Sequence, residues 1–347
     1  MTDISQQIQD IKETLRKTPH HKATNHFIGL MRAKIARLKD KEMETLTPLR
    51  QSSAGRTSFA VRKQGDATVV LVGPPSSGKS TLLNKLTNAQ SKVAPYAFTT
   101  VNVIPGMFKY NEAYIQILDI PGLIEGAKEG KGRGKEVLSV VRGADLLIIM
   151  TDVQRIDLIK KMVSELEGAG IRINQERPRV IIDKKTEGGI EIKSNIRQEL
   201  ETETVKEIAR EFGIKNATIT VNEKVSLDRL FDAFAVSRVY IPAVFVVNKI
   251  DLKLMENEYL EISAEKNIGI DKLITEIWNK LKFVSVHIAE GAIVMKEGET
   301  LSDVAAKIGS DFSAKVKSAK IWGPGAKFPG QEVSLFTKVQ EGMTVKF

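Results

Sequence analysis

Gly73-Pro74-Pro75-Ser76-Ser77-Gly78-Lys79-Ser80 follows directly on Ala67–Val72, an apolar run of strand character. The spacing Gly-x-x-x-x-Gly-Lys-Ser is that of a phosphate-binding loop between a strand and a helix. Gly73 and Gly78 tolerate backbone conformations that other residues resist, so successive N–H groups can turn inward around a phosphate. Lys79 has the reach for β- and γ-phosphates. The Ser80 hydroxyl is placed to ligate Mg²⁺, at the start of a helix running through Thr81, Leu82, Leu83 and Leu86. A Gly-Lys-Ser tripeptide alone says little; eight residues between an apolar strand and an apolar-periodic helix say far more.

Three further motifs follow in order. Asp119-Ile120-Pro121-Gly122 ends a second apolar run, residues 114–118. There Asp119 is suited to hold a metal's water shell, and the Gly122 N–H to approach a γ-phosphate. Asn248-Lys249-Ile250-Asp251 ends a third run, residues 244–247, and Ser263-Ala264-Glu265 closes a fourth that stops at Ile262. In open parallel sheets ligands bind beyond the carboxyl ends of the strands, and all these motifs sit there. The predicted fold is α/β, a doubly wound and mostly parallel sheet.

The third motif selects the base. Two carboxylate oxygens on Asp251 match guanine N1–H and the exocyclic amine, a pairing adenine cannot offer. Asn248 is placed to serve the N7 edge, the Lys249 stem to cover the base face, and the Ala264 N–H to meet O6. Asp251 as an ordinary helix N-cap is the competing reading. Four ordered motifs favour the base reader, and the ligand is GTP or GDP.

At 347 residues and 42% hydrophobic content, the chain is long enough for about two to three domains with real cores. No apolar stretch approaches the ~18–20 residues of a membrane span, and the N-terminus is polar and amphipathic rather than a signal peptide. The expectation is a cytoplasmic protein with no membrane partner. Cysteine is absent, which excludes disulfides and thiolate metal sites.

Charge is unevenly spread. Residues 1–65 carry thirteen Lys and Arg against six Asp and Glu, most of the net +9; residues 171–236 carry twelve of each. A basic head on a neutral body suits an RNA- or ribosome-facing attachment, and nothing in it singles out DNA. A solvated helical surface is the alternative.

That head reads as two helices. Ile4, Ile8, Ile11 and Leu15 form one stripe, and Phe27, Leu30, Met31, Ile35 and Leu38 a second, packed as an antiparallel hairpin with Arg32, Arg37 and their neighbours outside. His20, His21 and His26 read as turn and surface residues. Residues 52–65 read as a linker.

The block 171–236 is an α+β insert. Residues 179–182 and 189–192 bracket a polar turn and suggest a hairpin. A helix over 194–212, a strand at Ala217–Val221 and a helix over 227–236 complete it. Neutral charge favours a scaffold or docking role for the insert over RNA binding. From residue 284 the pattern is strand, turn, strand, helix Leu301–Ile308, strand, which fits a compact ubiquitin-like sheet with one packed helix. The expected organisation is therefore 1–65, 66–170, 171–236, 237–283 and 284–347.

The whole chain resembles the developmentally regulated GTP-binding proteins, within the Obg-related GTPases. The phosphate loop, Phe98-Thr99-Thr100, Asp119 through Ala127, Gly130-Lys131-Gly132-Arg133-Gly134, Tyr240-Ile241-Pro242, the Asn-Lys-Ile-Asp motif and the tail ending in Val345 carry the likeness. It implies a helical hairpin, a GTPase domain, a ribosomal-protein-like insert and a C-terminal TGS domain. It also implies GTP hydrolysis in association with ribosomes, rRNA or tRNA, with a possible helper protein. Lys79, Thr100 and Gly122 would act in the reaction, and Ser80, Thr100 and Asp119 (through water) would hold Mg²⁺. The chain departs from the family in its Pro-Pro-Ser-Ser core. Ser76 stands where many potassium-activated relatives have an Asn, which leaves K⁺ activation open.

The usual water-orienting Gln after Asp-x-x-Gly is replaced by Leu123. Arg133 is a candidate for charge stabilisation, with a solvated loop as the alternative. Slow intrinsic hydrolysis, accelerated by a partner, follows. Two other functions compete: a guanine-nucleotide sensor and RNA-binding module with negligible turnover, and a P-loop kinase, against which the Asn-Lys-Ile-Asp motif argues.

Overall fold

The structure, a computed structural model, describes residues 4–19, 24–44, 65–87, 94–95, 102–120, 134–252 and 258–347. The chain starts with α1 (Ile4–Lys17) and α2 (Asn25–Glu44). β1 (Ala67–Val72) leads through the phosphate loop into α3 (Lys79–Thr87), followed by β2 (Ala94–Pro95), β3 (Asn102–Tyr110) and β4 (Ala113–Asp119). Then come α4 (Gly134–Arg142), β5 (Leu146–Asp152), α5 (Leu158–Gly168), β6 (Ile171–Ile173), β7 (Val180–Lys184) and β8 (Ile190–Ser194). Next are α6 (Thr202–Glu211), β9 (Ala217–Val221), α7 (Leu227–Phe234), β10 (Val239–Ile241), β11 (Ala243–Asn248), β12 (Leu260–Glu261) and α8 (Ile270–Leu281). The chain continues through β13 (Phe283–Ile288), β14 (Gly291–Lys296), α9 (Leu301–Ile308), α10 (Ser310–Ser313), β15 (Ser318–Trp322), β16 (Gln331–Ser334) and β17 (Thr344–Lys346).

The elements group into two compact units, one of residues 1–59 and 166–240, the other of 60–165 and 241–347. The N-terminal helices belong with the insert, and the two parts of the nucleotide domain belong with the C-terminal domain.

The second unit holds a seven-stranded sheet in the order β12-β11-β5-β1-β4-β3-β2. Strands β12 through β4 run parallel, and β3 and β2 antiparallel to their neighbours. Every residue of β1 and β5 is buried, as continuous apolar strands covered on both faces must be. Register brings the motif ends level: Leu71 pairs with Asp119, and Asn248 with Asp152. Leu82, Leu83 and Leu86 of α3 and Leu273 and Ile277 of α8 close over this sheet in one core.

The C-terminal domain is a five-stranded sheet, β14-β13-β17-β15-β16, with α9 packed on it. Helix α9 starts where Thr300 and Asp303 form a reciprocal capping box. The sequence reading misses β16, four residues in a Gly-rich context. Phe283 and Val294 of this domain share the nucleotide domain's core, and Lys307 Nζ lies 2.7 Å from Asp66 Oδ1, just ahead of β1.

In the first unit three expectations need correction. Strands β7 and β8 are not a hairpin: β9 lies between them, antiparallel to β7 and parallel to β8. Almost wholly buried, β9 takes the centre, while β7 and β8 keep polar outer positions. Asn216 stitches the gap, donating to Thr186 O at 2.9 Å and accepting from Gly189 N at 2.9 Å. Helix α6 begins at Thr202 rather than near residue 194, because Ser194 Oγ bonds backbone groups of Ile196 and Val221 and holds the chain in a turn.

The third correction concerns α2. Its buried face runs through Ile28, Ala33, Ala36 and Leu38, while Phe27 is exposed. Ala33 and Ala36 join one core with Val205, Ile208, Ala209, Leu230 and Phe231 of α6 and α7. Small residues let the helices approach closely. The basic side chains are likewise engaged: Arg32 with Asp228 at 2.7 Å, Arg37 with Glu211 at 3.3 Å, and His26 with Glu207 at 2.7 Å. His26 is exposed, as expected, and also contacts Glu207 and Thr204 of α6. His20 and His21 lie outside the described residues, as does most of the linker.

Candidate nucleotide-binding site

The phosphate loop leaves β1 buried and emerges at Pro75 and Ser76, which are exposed. A side chain at Gly73 would collide with the Met150 carbonyl, and one at Gly78 (φ +94°) with the Asn248 amide. Ser76 also adopts a left-handed conformation, φ +62°. The buried Lys79 Nζ donates to Gly73 O at 3.0 Å and Pro74 O at 3.1 Å. Burial pushes its ammonium below the ordinary lysine range; Asp119 opposes this and Arg155 adds to it.

Ser80 Oγ donates to Asp119 Oδ2 at 2.6 Å, joining two predicted metal-site residues from different elements. The other oxygen, Asp119 Oδ1, is buried without a hydrogen-bond partner among the described residues. An orphaned carboxylate oxygen beside a hydroxyl is a hard-oxygen donor set that fits a hydrated Mg²⁺. Ser77 Oγ is likewise buried and unpaired.

The base-reading motif meets the phosphate loop from the far side. Asn248 Nδ2 donates to Ser77 O at 2.9 Å, and Lys249 Nζ to Ser76 O at 2.7 Å. Asn248 Oδ1 accepts the Ala264 N–H at 2.9 Å. This revises two expected roles. Asn248 is first a tie between two loops, through Ser77 O and the Ala264 N–H. The Ala264 N–H is engaged inside the protein rather than presented toward O6. Asp251 is exposed, as are Glu265 and Lys266, while Ser263 is buried and its Oγ accepts from Lys266 N at 3.2 Å. Ile120 is buried beyond β4. Phe98, Thr99, Thr100, Pro121, Gly122, Leu123 and Arg133 lie outside the described residues.

Sequence reasoning overlooks Asp152 and Arg155. Asp152 closes β5 and is buried; Arg155 Nε and Nη2 reach its carboxylate at 3.1 and 2.5 Å, and Nη2 also reaches Pro75 O at 3.0 Å. Burial works against ionisation of Asp152, yet the bonds from Arg155, with the field of Lys249 4.0 Å away, hold it below the ordinary carboxylate range. Register offers the signal: Asp152 lies opposite Asn248 on the neighbouring strand.

Phosphate loop, base-reading loop and sheet order together define a P-loop GTPase. A family described as "50S ribosome-binding GTPase" matches residues 68–185, the family described as the C-terminal region of that domain matches 187–283, and the TGS domain matches 286–347. The chain belongs to the developmentally regulated GTP-binding protein family. It is 38% identical to developmentally-regulated G-protein 3 of Arabidopsis thaliana and 37% identical to developmentally-regulated GTP-binding protein 1 of Xenopus laevis, each alignment covering 96% of this chain and 95% of the relative. An uncharacterized GTP-binding protein of Methanocaldococcus jannaschii is 41% identical, covering 98% of this chain and 91% of that protein.

Proposed function

We propose that this GTPase is a nucleotide-dependent switch acting on ribosomes during translation, with Mg²⁺ beside the bound nucleotide. The observation that carries the reading is the match of residues 68–185 to the family described as 50S ribosome-binding GTPases. Ser80, Thr100 and, through water, Asp119 would hold the metal, which when bound neutralises charge on the phosphates. Lys79 is already fixed inside the loop for the same task. Asp251 selects guanine. With Leu123 where a polar side chain would orient water, the chain itself supplies little to the attack, so the ribosome or a helper protein completes the site.

Co-sedimentation with ribosomes in GDP and in a non-hydrolysable GTP analogue tests this, with retention expected in the analogue. Equal absence from the pellet in both states would remove the ribosome from the reading. The nucleotide-sensor alternative is favoured by Leu123 alone. Multiple-turnover phosphate release with and without ribosomes separates the two, since a sensor stays silent in both.

Among the described residues of the two N-terminal helices, Lys12, Arg16, Lys34 and Lys41 are exposed basic side chains, while Arg32 and Arg37 pair with the insert. If about three phosphates are neutralised, log affinity for RNA falls with log salt at a slope of about −2 to −3. Changing these four residues to Gln should flatten the slope. An unchanged slope would move RNA contact elsewhere. Removing the helices altogether is a poor test, because Ala33 and Ala36 belong to the insert's core.

Ser76 gives a second test. Its left-handed backbone suits Asn better than any other side-chain-bearing residue. Ser76→Asn should therefore fold normally and raise phosphate release in KCl over NaCl by roughly tenfold, about 1.4 kcal/mol of barrier. Equal rates in both salts would show that a residue other than position 76 denies the ion its site.

A further inference from the structure

Five consecutive carbonyls of the phosphate loop each accept a hydrogen bond from a side chain. Lys79 holds Gly73 O and Pro74 O, Lys249 holds Ser76 O, and Asn248 holds Ser77 O. Pro75 O is held by Arg155. The first three donors belong to the motifs assigned to nucleotide binding; Arg155 belongs to none of them.

A peptide unit is planar, so fixing a carbonyl on one side fixes the next residue's N–H on the other. The plane that carries Pro75 O carries the Ser76 N–H. Pro74 and Pro75 have no N–H to offer, so the Ser76 N–H is the first donor available after Gly73. In a loop already short of two donors, each remaining N–H carries more of the phosphate's charge. The guanidinium is itself well anchored. It forks onto buried Asp152, and its backbone closes a tight turn, with Thr151 Oγ1 donating to Arg155 O at 3.1 Å. Asp152 also faces Lys249 Nζ at 4.0 Å, so one carboxylate backs two cations that grip adjacent loop carbonyls.

We propose that Arg155, anchored by Asp152, is a positioning residue that orients the Pro75–Ser76 peptide plane and thereby sets how long nucleotide is retained. The proposal rests on Gly73 through Ser80 being the phosphate site. Binding of fluorescently labelled GDP by the native chain tests that premise separately.

Labelled-GDP dissociation should be followed by stopped flow in the native chain, Arg155→Ala and Arg155→Gln, beside the melting temperature of each without nucleotide. Arg155→Ala should release GDP about tenfold faster, as expected for losing one charge-assisted hydrogen bond. Its melting temperature should stay within about 2 °C of native. Arg155→Gln keeps length and a donor but loses the charged fork, and should fall between the two. A rate within twofold of native in Arg155→Ala would overturn the proposal. So would faster release in step with a melting temperature lowered by more than about 5 °C in both variants, because that pattern reports general loosening of the turn. Should Arg155→Ala fail to fold, a native release rate in Arg155→Gln overturns it equally.

Discussion

Asp251→Asn should lower GTP affinity by about 2–4 kcal/mol, roughly thirty- to a thousand-fold, and improve binding of xanthosine triphosphate. The structure places Asp251 exposed in the turn that leaves β11, with Lys249 in a left-handed conformation and the Ile250 N–H bonded to Ile262 O. The backbone around it is thus pinned while its carboxylate stays open to a ligand. Exchanging one acceptor oxygen for an amine sets donor against donor at the guanine edge, whereas xanthine offers an acceptor there. Competition between the two nucleotides on both proteins reads the result directly. An undiminished preference for GTP would remove Asp251 from base recognition.

In the first unit, Asp232→Ala should cost about 3–5 kcal/mol of stability, the usual result of removing one partner of a buried ion pair. Asp232 takes Arg172 through both oxygens, at 2.5 and 2.6 Å, and Arg238 Nε at 2.8 Å. Arg238 is 8% exposed and Arg172 16%, so neither has an easy path to water once the carboxylate is gone. Asp40 completes the cluster by accepting from Val236 N, Ser237 N and the Ser237 hydroxyl, but it is 4.0 Å from Arg238 and cannot take over. A urea melt of the full chain should show the loss as a lowered midpoint. A midpoint at the native position would mean that the arginines find other partners.

Legibility in the sequence followed from how local each signal is. β1, β4 and β11 were readable because apolar runs ending in a motif have few other meanings. Lys79, Ser80, Asp119 and Asn248 were legible by spacing, and the structure brings them together. Failures lay where the deciding interaction is distant along the chain. Residues 180–184 and 190–194 look like hairpin partners until β9, more apolar than either, claims the place between them. Leu30 and Leu38 of the expected α2 stripe do turn inward, but the small side chains Ala33 and Ala36 carry too little hydrophobic signal to be read as core. Arg155 was missed because its importance comes from a carbonyl eighty positions away, and carbonyls leave no trace in sequence.

The pairing of α2 with α6 and α7 also constrains how the chain is made. During synthesis α2 leaves the ribosome with its Ala33–Ala36 stripe uncovered, and its partners emerge only after β1 through β5 have been translated. Closing so long a loop adds little to the equilibrium cost, since that cost grows only logarithmically with length. It does make the contact strongly non-local, and non-local contacts form late. The first unit therefore folds as a clasp fastened near the end of its own synthesis, and a nascent chain stalled before residue 202 carries a helix with no core to join.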